Sequence, residues 1–237
     1  MGELKYYPLH AHLTDGSIGD SILEASKYAE TAKNIGLNAI AMTDHGSLSA
    51  IYNFSRECLK NNIKPIFGME AYVCKNIADK DKERWHLILL AKTQEGLSNL
   101  FKIHNIAQTE GFYYKPRVDL NILKNYGTGL IGLSACVAGE IPQYVLAKNY
   151  DKALTTIENY KKCFDEFFLE IQPGNFDEQK TVNDAIIKLA MQTETPIVVT
   201  NDIHYLNQSD YLVHDMHVKL SRKMNLEENP GLCTGVS

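Results

Sequence analysis

The feature that most constrains this chain is an alternation, sustained over almost its whole length, between short apolar β-rich runs and segments with helical spacing. Strands are expected at residues 6–12 and at "LNAIAMTD", "IKPIFGMEAYV", "HLILLA", "GLIGLSAC", "FFLEIQ" and "PIVVTND". Helices are expected from Ser21 to Ile35, from Leu48 to Asn61, over "EGLSNLFKIHNIAQTEG", across 140–148 and 151–165, from Gln179 to Gln192, and from Gln208 onward. Residues 75–84 read as a charged loop. Strands that are apolar throughout are covered on both faces, so the pattern predicts an α/β fold, a mainly parallel sheet with helices outside it. Seven such strands suit one TIM-like (βα) barrel, with an open doubly wound sheet as the alternative. In both, chemistry gathers at the carboxyl ends of the strands. No repeat, low-complexity stretch or Pro/Ser-rich linker interrupts the chain, and a single domain over 1–237 is expected.

The strand ends carry the informative residues. The first delivers His10 and His12, which share a face at spacing i, i+2. The second delivers Asp44 and His45 in "MTDHG", the third Glu70, "GLIGLSAC" delivers Cys136, and "VVTNDIHYL" delivers Asp202 and His204. Each cluster alone has an ordinary reading; "TDHG", for instance, fits a turn with Asp44 capping the next helix. Jointly they describe donors from distant segments meeting at one rim. Imidazole and thiolate suit zinc or iron(II), and carboxylates also suit manganese, so the mixed set predicts a multinuclear transition-metal site. Ions about 3.5–4 Å apart favour phosphoester hydrolysis.

Charge and cysteine usage exclude other classes. With 24 basic against 29 acidic residues the net charge is -5, which argues against gripping nucleic acid by bulk electrostatics. "MGELKYYPLH" lacks the apolar core of a signal peptide, and no run of about 18 apolar residues exists for a membrane span, so a cytoplasmic protein without membrane partners is expected. Cys58, Cys74, Cys136, Cys163 and Cys233 are odd in number and include no CxxC pair, which fits a reducing compartment.

With these residues assembled, the chain resembles the PHP (polymerase and histidinol phosphatase) domain family, and more narrowly its branch in the alpha subunit of bacterial DNA polymerase III. The resemblance runs from about Tyr7 to about Lys219, leaving 220–237 as a tail, and rests on "LHAH", "AIAMTDHGSLSAIYNF", "IKPIFGMEAYV", "WHLILLAKTQEGLSNL", "EGFYYKPRVD", "GLIGLSACVAGEIP" and "VVTNDIHYL". It implies a distorted (βα)7 barrel and a metal cluster at the carboxyl ends of the strands. The ligand set it implies is His10, His12, Asp20, His45, Glu70, His86, Cys136, Asp202 and His204. His86 begins its strand and enters through the resemblance alone. The segment between His12 and Asp20, within "LTDGSIGD", is one residue longer than in the family's usual "YSLLDG" pattern, so Asp15 competes with Asp20, although the spacing to Asp44 favours Asp20. Asp20, Glu70, Asp202 and a Cys136 thiolate would bring four negative charges together, which cations must neutralise. Asp44 is expected to accept a hydrogen bond from an imidazole and fix its tautomer. His104, His214 and His217 match no motif.

The expected activity is that of a metal-dependent phosphoesterase using two or three divalent ions (Zn, Mn or Fe), with Asp202 and Glu70 at the reacting centre. Arg117, with Lys115 beside it, is expected to clamp a phosphate from a loop. The polymerase branch implies a DNA 3′ end as substrate, hence a 3′–5′ exonuclease, with Tyr113 and Tyr114 available to stack a base. Two alternatives stand: a metal-stabilised structural module that docks polymerase or replisome subunits, and a small-molecule phosphatase of the histidinol-phosphate kind. Polymerase activity is not expected from a chain of this length.

Overall fold

The computed structural model describes residues 6–174 and 176–225; the end of the tail and Cys233 lie outside them. In chain order the elements begin α1 (Ala25–Asn34), β1 (Ala39–Met42), α2 (Ile51–Lys60), β2 (Lys64–Val73), β3 (Trp85–Ala91), α3 (Gln94–Thr109), β4 (Phe112–Tyr113) and β5 (Lys115–Val118). They continue α4 (Leu120–Tyr126), β6 (Leu130–Leu133), α5 (Glu140–Leu146), α6 (Tyr150–Lys161), β7 (Glu166–Ile171), α7 (Asp177–Thr193), β8 (Ile197–Val199) and α8 (Tyr211–Arg222). These form two compact units, each discontinuous in sequence. One comprises the described residues up to Asp44, Ser49–Phe67 and those from Thr200; the other comprises His45–Leu48 and Gly68–Val199. Among the described residues no helix is long and apolar enough to cross a membrane.

In the first unit β1 pairs in parallel with the start of β2, from Ala39 opposite Lys64 to Met42 opposite Phe67. All four β1 residues are buried, as an unbroken apolar run requires. The helices α1 and α2 bury Tyr28, Ala29 and Ala32 against Phe54 and Cys58, at helical spacing, with the Tyr28 and Phe54 rings 6.3 Å apart. The strand expected over 6–12 is not a regular strand; its one ladder pairing is a parallel bridge between Ala11 and Ile203. Extended backbone there is nonetheless held on both sides, by Ala41 N–H to Pro8 O, Thr43 N–H to Ala11 O, His12 N–H to Ile203 O and Ile203 N–H to His10 O. The first helix begins at Ala25 rather than Ser21, because the Ser21 hydroxyl is engaged with the carbonyls of His12 and His204.

The second unit is a sheet in the order β4-β5-β2-β3-β6-β7-β8. The pairs β2–β5, β6–β7 and β7–β8 are parallel, as expected, but β3 runs antiparallel to both β2 and β6. The reason is the connection. A parallel return needs a crossover, usually a helix, and residues 75–84 form none, so β3 doubles back beside β2. The hairpin β4–β5 and the helix α4, capped by the Asp119 carboxylate on Asn121 and Ile122 N–H, are absent from the sequence expectation. Leu87, Leu89, Met69, Ala71, Leu100 and Ile103 belong to one apolar core that α3, α5, α6 and α7 cover.

Candidate metal centre

In the first unit three donor atoms converge. His10 Nε2 and His12 Nε2 are 3.1 Å apart and lie 3.2 and 3.1 Å from Asp202 Oδ1. The two imidazoles are wholly buried and Asp202 nearly so. His204 joins through Nδ1, 2.9 Å from the Asp202 carbonyl, and its Nε2 lies 2.9 Å from Asp20 Oδ2. Asp202 adopts φ +52, a left-handed turn after β8 that short polar residues tolerate.

The hydrogen-bond pattern fixes where the ring protons sit. Ser17 donates its hydroxyl to Asp44 Oδ1 at 2.9 Å, so at 3.2 Å it accepts from His12 Nδ1–H, and the His12 Nε2 lone pair faces inward. His204 Nδ1–H likewise donates to a carbonyl, turning its Nε2 lone pair toward the Asp20 carboxylate. Lone pairs facing carboxylate oxygens at such distances repel unless a cation lies among them. A tetrahedral ion with bonds of about 2.0 Å spaces its donors by about 3.3 Å, close to the 3.1–3.2 Å found for His10, His12 and Asp202. The donors therefore fit a small divalent ion.

The second unit carries its own donor group. Glu70 on β2, wholly buried, meets His45 Nδ1 through one carboxylate oxygen and His86 Nδ1 through the other at 2.9 Å. Cys136 Sγ is 3.6 Å from His86 Nδ1. Ala135, at φ +64, turns the chain between the end of β6 and Cys136. His45 is tied to β2 by a bridge to Glu70 and by Gly46 N–H to Glu70 O at 2.8 Å. Gly46 has φ +57, and a Cβ there would come within 2.6 Å of Pro116 Cγ. The His45 and His86 side chains are 19 and 21 % exposed, so this group is partly open, unlike the His10/His12/Asp202 group.

Antiparallel β3 explains His86. Its register puts His86 opposite Tyr72, so the start of β3 lies beside the carboxyl end of β2, where a carboxyl-end rule does not look. Asp20 rather than Asp15 lies beside His204; Asp15 is exposed and accepts from the Asn53 side chain. Asp44 accepts from Leu13 N–H at 2.6 Å and from Ser17, through which it reaches His12, and a Cβ at Gly16 would overlap its carboxylate.

Arg117 requires correction. It sits on β5, 1 % exposed, and its guanidinium donates to the carbonyls of Gly111, Ile77, Asp79 and Asp81 at 2.8–3.1 Å. Its planar fork staples the 77–81 loop and is not offered to a ligand. Sequence reasoning also passed over Ser17, Ser21 and His214. His214, buried on α8, donates from Nε2 to the Asp20 carbonyl at 2.7 Å, and burial lowers its pKa. It shares the buried side of α8 with Val218 and Lys219, while Leu212, Val213, Met216 and Leu220 are exposed, so the apolar pattern of the helix gave no signal of its burial.

Comparison with known proteins gives the same direction. The family profile described as PHP domain matches residues 8–174. The DNA polymerase III subunit alpha of Aquifex aeolicus is 37 % identical over 233 residues, covering 93 % of this chain and 20 % of that protein. That of Borreliella burgdorferi is 38 % identical over 221 residues, covering 90 % and 19 %. The chain thus spans about a fifth of the length of these curated relatives. Among solved structures, a candidate metal-dependent phosphoesterase from Bifidobacterium adolescentis superposes with a TM-score of 0.51 at 13 % identity, covering 84 % of this chain and 87 % of that one. An amidohydrolase from Chromobacterium violaceum gives 0.55 at 10 %, with the same coverage. Both support the fold only. On the family match and on relatives above 35 % identity along nine-tenths of its length, this chain belongs to the PHP domain family.

Proposed function

We propose that the chain is a metal-dependent phosphoesterase acting on phosphodiesters at DNA 3′ ends, a 3′–5′ exonuclease, with two or three divalent ions (Zn, Mn or Fe) as cofactors. The observation that carries this reading is Glu70, a buried carboxylate that turns one oxygen to each of two half-open imidazoles, with the Cys136 sulfur beside them. Catalytic metal sites keep an accessible position, and the partial exposure of His45 and His86 supports one here. A divalent cation bound there would polarise a phosphoryl oxygen and acidify a water. His45, Glu70, His86 and Cys136 would hold one ion, and His10, His12 and Asp202 another, with Asp20 and His204 completing the nine-residue set. Ser17 fixes the His12 tautomer, and Asp44 fixes Ser17. The DNA substrate and replisome partners are drawn from relatives that are DNA polymerase III alpha subunits.

The test is hydrolysis of a 3′-labelled single-stranded oligodeoxynucleotide, bis-p-nitrophenyl phosphate and histidinol phosphate with Mn²⁺ or Zn²⁺, before and after chelation. Chelator-sensitive cleavage of DNA, lost at least about 100-fold in Glu70→Gln, is expected; hydrolysis that survives both refutes the reading, and preference for histidinol phosphate reassigns the substrate. The complete burial of His10 and His12 favours a second reading, in which metal serves stability and docking. Ions that raise the melting temperature while no substrate turns over select it.

A further inference from the structure

Tyr72 follows Glu70 by two residues on β2, and its ring contacts both imidazoles of the open donor group, with centroids 5.3 Å from His86 and 6.1 Å from His45. Two cations rest on the same ring: Arg84 Cζ at 5.6 Å and Lys115 Nζ at 5.5 Å from its centroid. They arrive from opposite sides, since Arg84 immediately precedes β3 and Lys115 opens β5, and these strands flank β2. Among the described residues neither has a carboxylate within ion-pair distance, while the nearby Glu83 is taken by Lys75. Next to Lys115, at the tip of the β4–β5 hairpin, Tyr114 is 61 % exposed at φ +60, with Lys82 Nζ 3.9 Å from its ring. Arg84 donates to the Lys82 carbonyl at 2.8 Å, which ties these groups into one patch.

We infer that Arg84 and Lys115 hold consecutive phosphates of a single-stranded DNA segment leading to the donor group, and that Tyr114 stacks one of its bases. This rests on the phosphoesterase reading above. The chemistry is that of single-strand binding in general, cations along the backbone and an aromatic face for a base. It replaces Arg117, whose donors are taken up by four carbonyls, with two cations that have no carboxylate partner among the described residues and of which only Arg84 donates to a carbonyl. A net charge of -5 makes such binding local, so the cations of this patch should dominate it, with Arg84 and Lys115 nearest the donor group.

The experiment is fluorescence anisotropy of a labelled phosphorothioate oligothymidylate on the full chain with Mn²⁺ present, titrated across KCl concentrations. Each phosphate contact on a single strand contributes about 0.7 to the slope of log K against log salt. R84Q/K115Q should therefore lower the slope by about 1.4, R84K/K115R should keep it, and K180Q/K188Q, an equal loss of charge on α7, should leave it unchanged. Tyr114→Ala should weaken binding about tenfold at every salt concentration. No binding by the unsubstituted chain, an unchanged slope in R84Q/K115Q, or an equal fall in K180Q/K188Q overturns the inference. Turnover of bis-p-nitrophenyl phosphate separates the two claims: its absence refutes the phosphoesterase while a changed slope still supports the DNA track.

Discussion

Arg117→Ala offers the sharpest separation between a stapling and a substrate-binding arginine. The substitution removes four hydrogen bonds from a guanidinium to the carbonyls of Gly111, Ile77, Asp79 and Asp81. Charge-assisted bonds contribute about 1.5–3 kcal/mol each, which sets a ceiling of roughly 6–12 kcal/mol. The 77–81 loop is largely exposed, so water can reach its carbonyls once the side chain is gone, and about half of that ceiling is recovered. A loss of about 3–6 kcal/mol remains, which at about 2–4 °C per kcal/mol for a chain of this size lowers the melting temperature by roughly 6–24 °C. Lysine should not rescue it, because a single ammonium cannot span four acceptors held in a planar fork. Thermal melting by circular dichroism, paired with hydrolysis at a temperature where both proteins are folded, reads the two effects separately. A stapling residue loses stability and keeps kcat/KM within about threefold, whereas a phosphate clamp loses about 10²–10³. An unchanged melting temperature with activity reduced by that factor refutes the stapling role and restores the clamp.

Other expectations follow from the same geometry. Ser17→Ala removes the hydroxyl between Asp44 and His12, and metal affinity measured by chelator competition should fall about 10–100-fold with little change in melting. Gly46→Ala forces a Cβ into a left-handed turn against Pro116, and denaturant titration should show a loss of about 1–3 kcal/mol or more. Glu140 is partly buried, and its desolvation raises its pKa, while hydrogen bonds from Tyr160 and Tyr144 oppose the rise. The folded state therefore binds its proton more tightly than the unfolded state, and its contribution to stability falls as pH rises from the unfolded carboxylate value toward the folded one. The stability difference between Glu140→Gln and the unsubstituted chain should shift in favour of the variant over that window, and a difference constant from pH 4 to 7 counts against it.

The donor residues were legible in the sequence because their signals are local. The i, i+2 pair His10/His12 shares a side because the backbone there is extended, even though residues 6–12 form no regular strand, whereas Asp202 and His204 were marked only as polar residues closing an apolar run, Asp202 lying in a left-handed turn at φ +52. The glycine of "MTDHG" likewise announces a turn that no side chain fits. Helix and strand alternation gave the α/β class for the same reason, since periodicity is a property of neighbours. His86 entered only by family resemblance, because a carboxyl-end rule presumes strand direction, and direction depends on what the intervening loop can reach.

What the sequence determined by itself was the alternation of most strands and helices, though not the β4–β5 hairpin, α4 or the irregular 6–12 segment, and which side chains can donate to a metal; these depend on spacing along the chain. Only the tertiary structure decided that β3 runs backwards and brings His86 to Glu70, that Arg117 closes on the carbonyls of a loop some forty residues away in sequence, and that Arg84 and Lys115 meet on one tyrosine ring. Each of these depends on strand order and direction, which are set by the balance of loop closure and core packing over the whole unit, and no local pattern encodes that balance.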